Sequence, residues 1–104
     1  MPLRHRLQTT PHPAANDLRR RLVEEWQHPR EDVSGPVIIE EEGAQGRPSH
    51  LYVIWDDWTD LTLEERSEII MDAYEQVRGR DKILLVTVAM GLTRSEADHM
   101  KIEY

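Results

Sequence analysis

Apolar and polar positions along this chain change period several times, and each change marks an element. Leu51-Tyr52-Val53-Ile54-Trp55 is an unbroken apolar and aromatic run, rich in β-formers and too short for a helix. It predicts a strand. On the period of two, Leu51, Val53 and Trp55 share one face, and His50, Tyr52 and Ile54 the other. Both faces are largely apolar, so one is expected to be buried and the other partly covered. Asp56-Asp57 stops the run, because a short acidic side chain bonds nearby amides and favours a turn. Thr62-Leu63-Glu64-Glu65 then has the pattern of a capping box, in which hydroxyl and carboxylate each satisfy the other residue's amide. Beyond it the period becomes helical. Leu63, Ile70, Tyr74 and Val77 fall on one stripe, with Ile69 and Ala73 beside it. Glu64, Glu65 and Glu68 near the start and Arg78 near the end suit the helix dipole, and Gly79 suits the position just past the last turn.

The flanking segments follow the same logic. Leu18, Leu22 and Trp26, with Val23 beside them, predict a helix capped by Asn16 or Asp17 and ended near Gln27 by His28-Pro29. Arg19, Arg20 and Arg21 occupy its other faces, where Glu24 and Glu25 stand at the (i, i+4) spacing to pair with Arg20 and Arg21. Val37-Ile38-Ile39 predicts a second strand that runs into Glu40-Glu41-Glu42. Gly43 to Pro48 is a loop of a length that joins antiparallel strands. Ile83 to Met90 (ILLVTVAM) predicts a strand buried on both faces, parallel to Leu51–Trp55 through a right-handed crossover and broken by Gly91-Leu92. Thr93-Arg94-Ser95-Glu96 is a second capping box. It opens a short helix with Ala97 and Met100 facing inward. The expected fold is α+β, in the order α-β-β-α-β-α: a two-layer sandwich of a small three-stranded mixed sheet with helices packed on one face. Residues 1–15, with Pro2, Pro11 and Pro13, read as a flexible N-terminal tail, and residues 16–104 as a single domain.

Composition narrows the chemistry. A chain of 104 residues makes one domain with one modest core. Cysteine is absent, which removes disulfides, thiolate zinc sites and cysteine nucleophiles and fits a cytoplasmic location. No apolar run approaches the roughly 18 residues that span a bilayer, and the basic start lacks the apolar core of a secretory signal. The net charge of −7 opposes binding to nucleic acid or anionic membrane.

Among candidate sites, Asp56, Asp57 and Asp60 offer clustered oxygen donors for Mg²⁺ or Ca²⁺, but without the glycine and further donors of a calcium loop. The five histidines (His5, His12, His28, His50 and His99) are scattered, and no serine sits in a nucleophile elbow. Gly43-Ala44-Gln45-Gly46-Arg47 lacks the ending of a phosphate loop. No catalytic residue, metal or cofactor is therefore assigned. Trp55 and Trp58 stand three apart across a strand-to-turn junction, so core packing and a half-covered interface residue are both open. The expected function is a non-catalytic protein-interaction module that docks a basic partner through Tyr52, Trp58, Asp56, Asp57 and Asp60. The alternatives are a metal-binding protein centred on Asp56, Asp57 and Asp60, and weak nucleic-acid binding through Arg19 to Arg21 with Arg78, Arg80 and Lys82.

The pattern resembles the BolA-like fold, a relative of the class II KH domain, over residues 18–97. The residues that carry the likeness are His50-Leu51-Tyr52-Val53-Ile54, Leu63-Glu64-Glu65-Arg66, Ile83-Leu84-Leu85-Val86 and Thr93-Arg94-Ser95-Glu96. The resemblance implies the helix-strand-strand-helix-strand-helix order. It also implies a histidine at the start of the last strand that serves glutaredoxin-shared iron–sulfur binding. Asp81-Lys82-Ile83-Leu84 stands there instead. The Gly-x-x-Gly loop by which a KH domain holds nucleic acid is missing between the helices, since Gly43 and Gly46 fall in the predicted hairpin loop. A shared fold carries no function without the site.

Overall fold

The computed structural model describes residues 12–29, 35–41 and 49–104. Its elements are α1 (Ala15–Gln27), β1 (Val37–Glu41), β2 (Ser49–Ile54), a 3-10 turn (Asp56–Trp58), α2 (Leu63–Arg78), α3 (Arg80–Ile83), β3 (Val86–Leu92) and α4 (Arg94–His99). The sheet has the order β1-β2-β3, with β1 antiparallel and β3 parallel to β2. This is the α+β element order and mixed three-stranded sheet that the sequence predicts, with one short helical turn added; the helices, expected on one face, lie on both, because α4 packs opposite α1 and α2. The predicted loop at Gly43–Pro48 and most of the N-terminal tail lie outside the described residues. Ala14 and Ala15 pack on the core at the start of α1.

The pleat of β2 divides the interior. Leu51, Val53 and Trp55 enter the main core with Leu18, Leu22 and Val23 of α1 and with Ile69, Ile70, Ala73 and Tyr74 of α2. Ile54 goes to the opposite face, where it is buried with Leu92 and with Ala97 of α4. The terminal helix thus covers the face that α1 and α2 leave open.

Both predicted capping boxes form. Thr62 and Glu65 exchange bonds of 3.1 and 2.8 Å, and Thr93 and Glu96 exchange bonds of 3.2 and 2.8 Å. Other expectations change. Helix α1 has Ala14 at its cap with no side-chain bond, since Asp17 is drawn to Arg20 at 2.8 Å. Leu63 is 57% exposed, because the inward stripe of α2 begins at Arg66. Ile83 closes a helical turn after Gly79, whose φ of 92° is open to glycine. Strand β3 therefore starts at Val86 and continues through Gly91 and Leu92. It is an edge strand with Thr87 exposed and most of its side chains half-buried, Val86 and Ala89 toward the main core and Met90 and Leu92 toward the α4 face, where only Leu92 is buried.

The end of α4 explains why Met100 is exposed and not inward. Lys101 takes the left-handed conformation (φ 56°), its amide donates to Asp98 O at 3.1 Å, and the Ile102 amide donates to Ala97 O at 3.0 Å. These are the two bonds of a Schellman cap. They fold Ile102 onto the Ile54–Leu92–Ala97 cluster in place of Met100. The usual glycine signal is missing, so the sequence conceals this stop.

Candidate interaction surface

The acidic turn is a structural joint. Trp55 and Trp58 are both fully buried, edge to face, with centroids 5.2 Å apart. The Trp58 indole Nε1 donates to Val53 O at 3.0 Å, which returns the turn to the strand it left. The Arg21 guanidinium lies 4.9 Å over the Trp55 ring and donates to Asp57 Oδ2 at 2.6 Å. Asp56 Oδ1 accepts the Arg94 amide at 2.9 Å, at the start of α4, and its Oδ2 is 3.4 Å from Arg94 Nη1. One turn therefore ties α1 and α4 to the end of β2. This corrects one expectation. Trp58 sits at 0% exposure in the core, on the far side of the sheet from Tyr52, and cannot form a surface patch with it. Arg21 also has a long-range partner in Asp57, which spacing along the helix does not reveal. Asp60 is exposed. Among the described residues, no group of three or more His, Asp or Glu side chains converges as a metal ion requires.

A second joint was hidden by its charge. Arg66 is 4% exposed. Its Nε donates to Leu61 O at 3.0 Å, and its Nη1 donates to Gly91 O at 3.2 Å and to Glu96 Oε1 at 2.7 Å. Gly91 is required by close approach. An added Cβ would lie 2.8 Å from Arg66 Cβ and 3.0 Å from the Trp58 ring. The signal in the sequence is positional: Arg66 stands three and four residues before Ile69 and Ile70, on the buried face of α2. The Thr93 amide first, and Arg66 second, hold the Glu96 carboxyl below its ordinary value of 4.5 despite some cost of burial. A depressed folded value means that this stabilisation is present above about pH 4.5 and is lost as pH falls through the lower, folded value. Acid titration of Glu96→Gln should therefore show a flatter fall in stability below pH 4.5 than the parent chain.

The outer face of the sheet differs in kind. The strand register places Val37, Ile54 and Leu92 in one cross-strand row, Ile39, Tyr52 and Met90 in the next, and Glu41, His50 and Val88 in a third. Helix α4 and Ile102 close over the first row. Ile39, Tyr52, Met90 and Val88 remain half-buried. His50 stands edge-on to Tyr52, with centroids 6.4 Å apart, and lies 3.8 Å from Glu41.

The sheet edges are guarded, in contrast. On β3, the Ser67 hydroxyl donates to Ala89 O at 2.6 Å and Arg66 donates to Gly91 O, so α2 occupies carbonyls that β2 does not use. The register also jumps from Ser49–Val86 to His50–Val88, which leaves Thr87 as a bulge. On β1, Pro36 precedes the strand and Glu40 and Glu41 end it.

A cleft of about 370 Å³ between α1, β1 and α2 is lined by Trp26, Ile38, Glu40 and Arg78. Glu40 Oε1 is already engaged there, by Trp26 Nε1 at 2.5 Å and Arg78 Nη2 at 3.2 Å. Arg20 and Arg78, from the proposed nucleic-acid set, are likewise paired with Asp17 and Glu40. No helix among the described residues is long and apolar enough to cross a membrane. Comparison with protein-family models, with curated proteins and with solved structures finds no match for this chain.

Proposed function

We propose that this chain is a small, non-catalytic cytoplasmic domain that binds another protein through the outer face of its sheet around Tyr52. The observation that supports this reading is the contrast in how side chains are used. The acidic turn, Arg66 and Glu40 spend their polar atoms on bonds inside the domain. The Ile39–Tyr52–Met90 row, packed at one side against the Ile54–Leu92–Ala97 cluster, leaves part of its apolar area exposed among the described residues. Large apolar side chains half in water are favourable to cover, and tyrosine adds a polar tip at low entropic cost. Kinship with the BolA-like fold is carried as part of the proposal on the shared element order, and it brings no chemistry, for want of the histidine.

The test uses the full chain in the cells that make it, with a photo-reactive residue at position 52. One dominant cross-linked protein is expected from position 52 and none from position 72, where Asp72 is exposed on α2. Tyr52→Ser should abolish the complex while costing no more than about 1–2 kcal/mol of stability, as for a partly exposed site. An adduct-free position 52 would remove the proposal.

A further inference from the structure

We infer that the occupant of this face is a basic amphipathic helix of the partner, laid beside α4. The inference rests on the reading above and adds the partner's chemistry. Strand addition is disfavoured at both edges: by the Thr87 bulge and the α2 bonds on β3, and by Pro36 and two glutamates on β1. That leaves the face. Its two half-buried rows lie about 7 Å apart along the strands, across three strands spaced at about 4.8 Å. A helix is about 10 Å wide with its side chains, so the strip accepts one. Helix α4 already packs on the neighbouring row in this way, and a second helix beside it would complete a third layer.

Charge selects the sign of that helix. Glu41 borders the strip on the strand side; Asp98 and Glu103 are exposed on the α4 side, where Lys101 is exposed too and Arg94 is paired with Asp56. The chain as a whole carries −7. A helix with an apolar stripe flanked by Lys or Arg meets Ile39, Tyr52 and Met90 with its stripe and these carboxylates with its flanks. A second copy of this chain would bring the same acidic border against itself.

The probes are two synthetic helical peptides of one pattern, one built of Leu and Lys and one of Leu and Glu, titrated into the full chain and followed by amide shifts. The Leu/Lys peptide is expected to saturate and to shift Ile39, Tyr52, Val88 and Met90. Met90→Lys should raise its Kd at least about tenfold, the scale of a central contact residue. Glu41→Lys changes an exposed side chain and cannot be blamed on misfolding; it should weaken the same peptide several-fold, as should added salt. Equal binding of the Leu/Glu peptide, or shifts confined to Glu64, Glu68 and Asp72 on α2, would overturn the inference. So would the absence of saturable shifts. A dimer of the free chain that Tyr52→Ser splits would also overturn it, by giving the face to a second copy. A cross-linked partner at position 52 combined with failure of the Leu/Lys peptide would sink the helix while leaving the interaction face in place.

Discussion

Trp58→Ala should lower the unfolding free energy by about 3–5 kcal/mol, the range for emptying a large buried aromatic site. Trp58 has no exposed surface, packs edge to face on Trp55 and faces the Cα of Gly91. Truncation also strands the Val53 carbonyl that the indole satisfies. A domain of this size is held together by about 5–15 kcal/mol, so the loss removes a large part of the total. At about 4–8 °C per kcal/mol, the thermal midpoint should fall by tens of degrees, as read by circular dichroism. Trp58→Phe separates the two contributions. It keeps most of the ring and loses the Val53 bond, and should cost about 1–3 kcal/mol. A melting temperature unmoved by Trp58→Ala would mean that the turn does not close as described.

Arg66→Met is the second large effect, at about 3 kcal/mol, the low end for breaking a buried charge pair. Methionine keeps the unbranched stem that packs on Gly91. It leaves the Leu61 and Gly91 carbonyls without their donor and removes the partner of Glu96. The low end applies because Glu96 has a side chain 43% exposed and keeps water as a substitute. Arg66→Lys should not rescue it, since one ammonium cannot reproduce a planar fork that reaches three acceptors on three segments. In the Glu96→Gln background the cost of Arg66→Met should shrink, and a double-mutant cycle in urea would measure the difference as coupling. Additive costs would show that the two side chains do not act together.

These two sites show where sequence reading stops. Strand β2, the α1 stripe and both capping boxes depend on residues within one turn or one pleat of each other. Local chemistry is enough to find them. Arg66 looks like a solvent residue by type, and only its phase relative to Ile69 and Ile70 places it inside. Trp58 looks equally suited to core or surface, because a lone aromatic in a turn has no period. Leu63 and Met100 are misjudged for the converse reason: both extend a helical stripe by one step past the point where the neighbouring element ends.

The element order, the two-sided apolar strand and the acidic caps were written in short-range spacing, and no partner segment was needed to read them. The roles of Arg21, Asp56, Asp57, Arg66 and Gly91 were not, because each depends on an atom at least 25 residues away. Nor was the face on which α4 settles. That followed from the left-handed turn at Lys101, which brings Ile102 back onto the Ile54–Leu92–Ala97 cluster. Helix and strand propensities act over a few residues, whereas the satisfaction of a buried charge or the closure of a sheet face is set by whichever segments the chain brings together.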